Sequence, residues 1–266
     1  MEKYKIVPAP RCKICGAWTK EVFAKAFRRG NREDMVSVPD LNVPNLWLYY
    51  ECTWCHALQT TAMDHLTWEE MDQFYQYEDT YIPKSRNRAN RAVRFVQRAR
   101  EMFPQNTGRL LSYGTGISPE PEMFRKLGWT VDTCDFGEGY TFTPQEFTKI
   151  DKKYHVITSM EVIEHFRQPR ENLSEILKHL KPGGVFVAST GLWSRLPEDR
   201  RVPDWFYVNW ATEGHIFIWT LQALDIVAQE NDCYVVVLGN TPKLCQGMGG
   251  MGQAPIIIRK YAPEDL

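Results

Sequence analysis

From Arg109 onward, short apolar runs alternate with amphipathic stretches, and this alternation restricts the fold more than any other feature of the chain. "RLLSYG" reads as a buried strand, "PEPEMFRKLG" as a helix ending at Gly128, and "WTVDTCD" as a second strand. "YHVITSM" is another strand, "RENLSEILKHLKPGG" a helix with a Pro-Gly-Gly stop, and "VFVAST" the next strand. "TLQALDIVAQEND" is a helix, "CYVVVLGN" a strand and "APIIIRKY" a last strand, with the glycine-rich "LCQGMGGMGQ" as a hairpin loop before it. Apolar strands need cover on both faces, so the pattern predicts an α/β fold with a mainly parallel sheet.

The loop between the first of these strands and its helix, "LLSYGTGIS", carries Gly114 and Gly116. Glycines there let the backbone bend sharply and approach a ligand closely, as the first βα turn of nucleotide-binding folds requires. About twenty residues later, Asp135 ends the second strand, where a carboxylate can accept hydrogen bonds from both ribose hydroxyls; Asp132 is the second candidate. A dinucleotide oxidoreductase would need glycine where the chain has Pro119.

The glycine loop, together with "VITSMEVIEHF" followed by "ILKHLKPGGVFVAST", resembles the class I S-adenosylmethionine-dependent methyltransferases over residues 90 to 261. The resemblance implies a Rossmann-like, seven-stranded sheet whose last strand is antiparallel, with S-adenosylmethionine as cofactor. It implies cofactor contacts from Tyr113, Gly114, Thr115, Gly116, Asp135, Ser159, Met160 and Glu161. Two positions depart from the family pattern. Ser112 stands where relatives carry an acid that helps place the cofactor's amino group, and Ser118 stands where they carry a third glycine. A serine replaces that acid only in part, so either the affinity is lower or a neighbour compensates.

"SMEVIEHF" brings Glu161, Glu164 and His165 together at i, i+3 and i+4, one face of a single helical turn. In an open α/β sheet this turn lies beyond the C-terminal end of a central strand, where ligands bind. It could orient the cofactor loop, supply a general base, or ligate a divalent cation such as Mg²⁺. The turn resembles that of metal-dependent O-methyltransferases of ubiquinone biosynthesis and of small-RNA 2′-O-methyltransferases, which add a later histidine. His215 in "GHIFIWT" has a similar setting. "DWFYVNWATEGH" also resembles small-molecule and sugar methyltransferases, which implies an acceptor pocket of Trp205, Tyr207, Trp210 and His215; the same aromatics could instead cap the sheet edge. The favoured expectation is a metal-independent site in which His165 or His215 handles the proton and the glutamates hold the loop.

Four of the seven cysteines fall in two pairs, Cys12 and Cys15 in "RCKICG" and Cys52 and Cys55 in "ECTWCH". Two CxxC knuckles suit one tetrahedral zinc ion, ahead of a redox pair or scattered buried thiols. "DMVSVPDLNV" and "NLWLYYEC" read as hairpin strands between them. Cys134, Cys233 and Cys245 have no ligand spacing and read as core thiols. Residues 1–62 thus form a small zinc-ribbon-like module, 63–104 a helical region and 105–266 the methyltransferase domain. In the helical region, Thr67 is an N-cap candidate for "LTWEEMDQFYQYEDTY". In the second helix, ended by Pro104, Arg88, Arg91, Arg94 and Arg98 recur at helical spacing, as a phosphate-binding stripe or an ordinary charged face.

A net charge of −1 gives no general attraction to nucleic acid or anionic membrane. No apolar run reaches membrane-span length and the N-terminus has no signal-peptide core, so the expected location is the cytoplasm, with the cysteines as thiols or metal ligands. The expected reaction is O-methylation of a small hydroxylated acceptor, a saccharide or natural-product intermediate. RNA is the second candidate acceptor, and a non-catalytic adaptor built on a degenerate methyltransferase fold is the rival from another class.

Overall fold

The computed structural model describes residues 9–26, 46–67, 70, 82–103, 107–116, 118–134, 152–195, 205–209, 214–236 and 253–263. Strands β1 (Thr19–Ala26), β2 (Leu46–Cys52) and β3 (Leu58–Thr60) come first. Helix α1 (Ile82–Met102) precedes β4 (Arg109–Tyr113), α2 (Glu120–Lys126) and β5 (Thr130–Cys134). Then follow β6 (Tyr154–Met160), a 3₁₀ turn (Ile163–His165), α3 (Pro169–Lys178) and β7 (Leu180–Gly191). The last elements are α4 (Phe206–Asn209), β8 (Phe217–Ile218), α5 (Leu221–Gln229), β9 (Cys233–Val236) and β10 (Gln253–Lys260).

The main sheet runs β5–β4–β6–β7–β10–β9. β5, β4, β6 and β7 are parallel, and β10 is antiparallel to both of its neighbours. The expected α/β architecture and antiparallel last strand are present; the seventh strand is not among the described residues. β6 is buried at every position but His155, as a strand covered on both faces must be. On one face α1 and α2 lay Ala92, Phe95, Val96, Ala99 and Phe124 against Leu110, Val156, Val187 and Ile257. On the other, α3 and α5 lay Leu173, Ile176, Ala223, Leu224 and Val227 against Leu111, Ile157, Phe186 and Ile258.

The Pro-Gly-Gly segment does not stop the helix as expected. α3 ends at Lys178, and β7 already pairs Leu180 with Tyr154. A shift in register between Tyr154 and Val156 absorbs the glycines, because a Cβ on Gly184 would lie 2.9 Å from the Lys181 carbonyl oxygen.

A second, antiparallel sheet runs β1–β2–β3–β8. Thr19–Ala26 is the strand that pairs with β2, from Thr19↔Cys52 to Ala26↔Leu46. The "DMVSVPDLNV" strand expectation lies outside the described residues. β8 joins through Leu58↔Ile218 and Gln59↔Phe217, so the cysteine-bearing segment and the later chain share one sheet. Most of the "LTWEEMDQFYQYEDTY" helix, and Pro104, also lie outside the described residues. Thr67 nevertheless caps as expected. Its hydroxyl accepts from the Glu70 N–H (3.2 Å), while the Glu70 carboxylate accepts from the Thr67 N–H (2.7 Å), a reciprocal capping box. Among the described residues no helix is long and apolar enough to cross a membrane.

Candidate functional site

β4 delivers the chain to the glycine loop at its C-terminal end. Gly114 (φ +69°) donates its N–H to the Cys134 carbonyl at 2.9 Å. A Cβ there would lie 2.5 Å from Val162 Cγ2, so only glycine lets this loop nest against the turn after β6. At Gly116 (φ +53°) a Cβ would meet nothing within 4 Å, which leaves room above the loop for a ligand. Tyr113 is buried, its ring edge-on to Phe166 at 6.2 Å. The Thr115 hydroxyl is held by the Ser112 carbonyl at 3.0 Å and the Ser112 hydroxyl at 2.8 Å. β4 and β6 are adjacent, and the chain leaves them toward opposite sheet edges, so the cleft above them is the switch point where α/β folds bind ligands.

Asp135 lies outside the described residues. Asp132 is removed as a ribose ligand, because its carboxylate is taken by Arg109 (3.0 Å), Tyr154 (3.1 Å) and Lys152 (3.3 Å), side chains from or just before the starts of β4 and β6.

The acidic turn is not the single helical face that its spacing suggested. β6 runs to Met160, and Glu161 then takes a left-handed conformation (φ +57°) before the 3₁₀ turn begins. Such a conformation costs a non-glycine residue roughly 1–2 kcal/mol. Its carboxylate is anchored by Arg91 Nη1 of α1 at 2.5 Å and by the Ser189 hydroxyl at 2.6 Å, and its N–H donates to the Ser189 carbonyl. Glu161 therefore holds the turn to α1 and β7, while its other carboxylate oxygen lies 3.5 Å from the Tyr207 hydroxyl that Glu164 also engages. Ser159 and Met160, just before it, are buried.

Glu164 is fully buried and accepts the Tyr207 hydroxyl at 2.5 Å. Burial first, and then Glu161, push its carboxyl up to about 8. His165 Nδ1 lies 3.1 Å from the Gly214 carbonyl, and His215 Nδ1 lies 2.7 Å from the Tyr207 carbonyl. A carbonyl only accepts, so both rings carry their proton on Nδ1, and Nε2 is the basic nitrogen of each. Burial, and then His215, hold His165 well below the ordinary histidine range, so it is neutral at physiological pH. The two rings are 5.0 Å apart, and His215 Nε2 is 3.9 Å from the Glu164 carboxylate.

One ligand atom from each of Glu164, His165 and His215 lies within 4.8 Å of the others, a set that could hold a cation. Glu161 is not part of it. Two imidazoles and one carboxylate suit an ion such as Mn²⁺ or Zn²⁺, and give Mg²⁺ few of the oxygen ligands it takes.

Trp205, just before α4, and Tyr207 within it stack at 5.1 Å, and Tyr207 lies 4.2 Å from the His215 ring. Both are buried, in a cluster with Trp47, Tyr49, Leu58, Ile216 and Ile218. They seat against the end of β7, where a Cβ on Gly191 would lie 2.6 Å from Tyr207 Cδ1. Tyr207 thus reaches the site through its hydroxyl and backbone carbonyl. Trp210 lies outside the described residues.

The four knuckle cysteines converge as their spacing predicts. Cys12 Sγ is 3.6 Å from Cys55 Sγ and Cys15 Sγ is 3.5 Å from Cys52 Sγ, with all four sulfurs within 4.8 Å. Thiolates around one tetrahedral zinc stand about 3.8 Å apart at its usual bond length, so the cage fits such an ion. Backbone N–H groups of Ile14, Trp54 and Cys55 point at the sulfurs. Gly16 and His56, each following the second cysteine of a pair, both have left-handed backbones. Cys134 and Cys233 are buried thiols outside any disulfide, as expected, and Cys245 lies outside the described residues.

Sequence reasoning did not single out Arg91 as the partner of Glu161, nor Glu120, nor Tyr49. Only Glu120 carried a signal, an acid two residues beyond the glycine loop's variant Ser118.

The family model described as "Methyltransferase domain" matches residues 85–238. A search of curated proteins finds no match. Among solved structures, the chain is similar to the Burkholderia thailandensis 1,6-didemethyltoxoflavin-N1-methyltransferase with bound 1,6-didemethyltoxoflavin and S-adenosylhomocysteine. The identity is 13%, the match covers 73% of this chain and 87% of that one, and the TM-score is 0.50. An O-methyltransferase family protein from Burkholderia thailandensis matches at 14% identity over 66% of this chain and 50% of that one, with TM-score 0.42. Magnesium protoporphyrin IX methyltransferase from Synechocystis matches at 10% identity over 74% and 86%, with TM-score 0.42. With the glycine loop, the switch-point cleft and a family match over more than half of its length, the chain belongs to the methyltransferase-domain family and is a class I S-adenosylmethionine-dependent methyltransferase.

Proposed function

We propose that the protein methylates a hydroxyl group of a small acceptor, of the saccharide or natural-product kind, with His165 or His215 taking the acceptor's proton. The observation that carries this reading is the convergence of Glu164, His165 and His215, with the Nδ1 of each histidine facing a backbone carbonyl. Bound S-adenosylmethionine supplies an electrophilic methyl group. His165 or His215 would take the acceptor hydroxyl's proton on Nε2 as that oxygen accepts the methyl group. The chain has to align the acceptor and manage one proton. Glu161, held by Arg91 and Ser189, keeps the turn in place. Trp205 and Tyr207 form the wall behind the acceptor in this reading.

Cys12, Cys15, Cys52 and Cys55 hold one structural zinc ion in this reading, which suits a reducing, cytoplasmic setting. RNA loses support, because Arg91 is turned inward to Glu161 and Arg98 pairs with Glu101, so the arginine stripe does not present a continuous phosphate-binding face. The test is turnover against a panel of hydroxylated and amino acceptors. O-methyl products are expected, with kcat lowered in His165→Ala and His215→Ala while cofactor binding persists. Methylation of amines or RNA alone overturns the reading, and failure to bind the cofactor at all favours the adaptor.

A second reading has one specific observation behind it. The Glu164 oxygen Oε2 is buried without a hydrogen-bond partner among the described residues. A cation held by Glu164, His165 and His215 would satisfy it and would orient an acceptor hydroxyl.

A further inference from the structure

We infer that Glu120 is the carboxylate that receives the α-ammonium group of S-adenosylmethionine, at the cleft between β4 and β6. Glu120 opens α2, yet its side chain turns inward and the residue is 4% exposed. Its oxygen Oε1 accepts the hydroxyl of Ser112 on β4 at 3.0 Å and the hydroxyl of Thr158 on β6. Ser112 and Thr158 are direct partners across the two strands that flank the switch point. One carboxylate oxygen thus spans the floor of the ligand cleft, beneath the glycine loop.

Among the described residues, no lysine, arginine or histidine lies within ion-pair distance of Glu120. A buried carboxylate served by two hydroxyls and no cation is costly to the fold, and an apolar residue would fill the same space without that cost. Burial raises its pKa to about 7 against the effect of the Thr158 and Ser112 hydrogen bonds. Both hydrogen bonds converge on Oε1, which leaves Oε2 for a further donor.

The cofactor of this family brings two cationic groups, a sulfonium and an ammonium. On the proposed function, the transferable methyl would meet an acceptor beside Glu164, His165 and His215, beyond the end of β6. Thr158 lies deeper in that strand, so Glu120 faces the amino-acid end of the cofactor. Ser112 leaves its strand without an acid, and Glu120 supplies the carboxylate to the same spot from the helix.

The test is calorimetric binding of three ligands to wild type and Glu120→Gln, an uncharged substitution of the same shape. S-Adenosylmethionine and S-adenosylhomocysteine both carry the ammonium; 5′-methylthioadenosine lacks the amino-acid end. Both ammonium ligands are expected to bind about ten- to a hundredfold more weakly to the variant, and 5′-methylthioadenosine equally well. Unchanged binding of all three overturns the inference, as does an equal loss for all three. Loss for S-adenosylmethionine alone overturns it in favour of the sulfonium. Should Glu120→Gln fold poorly by circular dichroism, the Ser112→Asp/Glu120→Ala double variant is measured instead. It moves the carboxylate onto β4 and is expected to bind S-adenosylmethionine within about tenfold of wild type; a folded double variant that does not bind overturns the inference.

Discussion

The phenolic hydroxyl of Tyr49 donates to the backbone carbonyl of His215 over 2.9 Å, across 166 positions of sequence. The same junction is tied by the Thr60 N–H on the Ile216 carbonyl (3.0 Å) and by the Thr220 hydroxyl on the Cys55 carbonyl (2.6 Å). The cysteine module therefore backs the segment that carries His215 into β8, in place of hanging beside the catalytic fold. Tyr49→Phe should leave that buried carbonyl short of a donor and cost about 1–2 kcal/mol. Denaturant unfolding should read the loss in stability. In steady-state kinetics kcat should fall severalfold while the cofactor Kd stays unchanged; a weakened cofactor Kd would mean that the junction supports the glycine loop as well.

Metal content should follow from the same arrangement. Protein prepared without chelator should carry about one equivalent of zinc, and Cys52→Ser should lose it. Because Cys52 ends β2 and Thr220 is held by Cys55, loss of the ion should loosen β1–β2–β3–β8 while the main sheet persists. Hydrogen exchange of the two sheets separates these outcomes. Equal loss of protection in both sheets would contradict the prediction.

Gly114→Ala tests the nesting of the cofactor loop. The added methyl meets Val162 Cγ2 at 2.5 Å in a left-handed backbone, so both sterics and strain oppose it. A loss of roughly 1–3 kcal/mol in stability is expected, with cofactor affinity falling as well. Val162→Ala in the same chain should recover part of it. No recovery would place the cost in the backbone conformation alone.

Much of this was legible because apolar strands and amphipathic helices have different periods. β4, β6, α5 and the cysteine knuckles fall where the residues place them. β1 was missed because Lys20, Glu21, Val22 and Ala24 are exposed, so the strand carries no apolar alternation and is fixed by its pairing with β2. The acidic turn was misread because i, i+3, i+4 spacing cannot reveal a left-handed residue at Glu161 that breaks the turn after its first member. Arg91 with Glu161 and Tyr49 with His215 are long-range pairs that only the folded sheet brings together. Ser112 was legible as a departure from the family pattern, but its compensation by Glu120 needed the side chain's inward turn.

Glu120 also makes a prediction about stability and pH. Its pKa rises from 4.5 to about 7 in the folded protein through burial, so the folded state keeps a proton that the unfolded chain has released. Stability from this group is complete below the unfolded value and declines as pH rises from about 4.5 through 7. The loss is about 1–3 kcal/mol. Glu164, pushed up to about 8, adds a decline over an overlapping range. Glu120→Gln should therefore flatten part, not all, of the fall in Tm between pH 5 and pH 8 (roughly the window set by these shifts). An unaltered pH profile in the variant would mean that Glu120 keeps an ordinary carboxylate pKa.

The role of the histidine pair is decided by chelation. A proton-transfer role needs only an Nε2 lone pair, and both histidines have their Nδ1 protons fixed on backbone carbonyls. Glu164 already accepts the Tyr207 hydroxyl, and burial with Glu161 nearby favours its neutral form, which tolerates the site without a cation. Turnover is therefore expected to survive EDTA, with His165→Ala lowering kcat and leaving the response to added Mn²⁺ or Zn²⁺ flat. If a cation bridges Glu164, His165 and His215, EDTA should abolish turnover while the cysteine-bound zinc stays in place. Mn²⁺ should then restore it, more strongly than Mg²⁺, because two of the three ligands are imidazoles. In that event His165→Ala and His215→Ala would each raise the Mn²⁺ concentration needed for half-maximal rate, a shift that a proton acceptor alone does not produce.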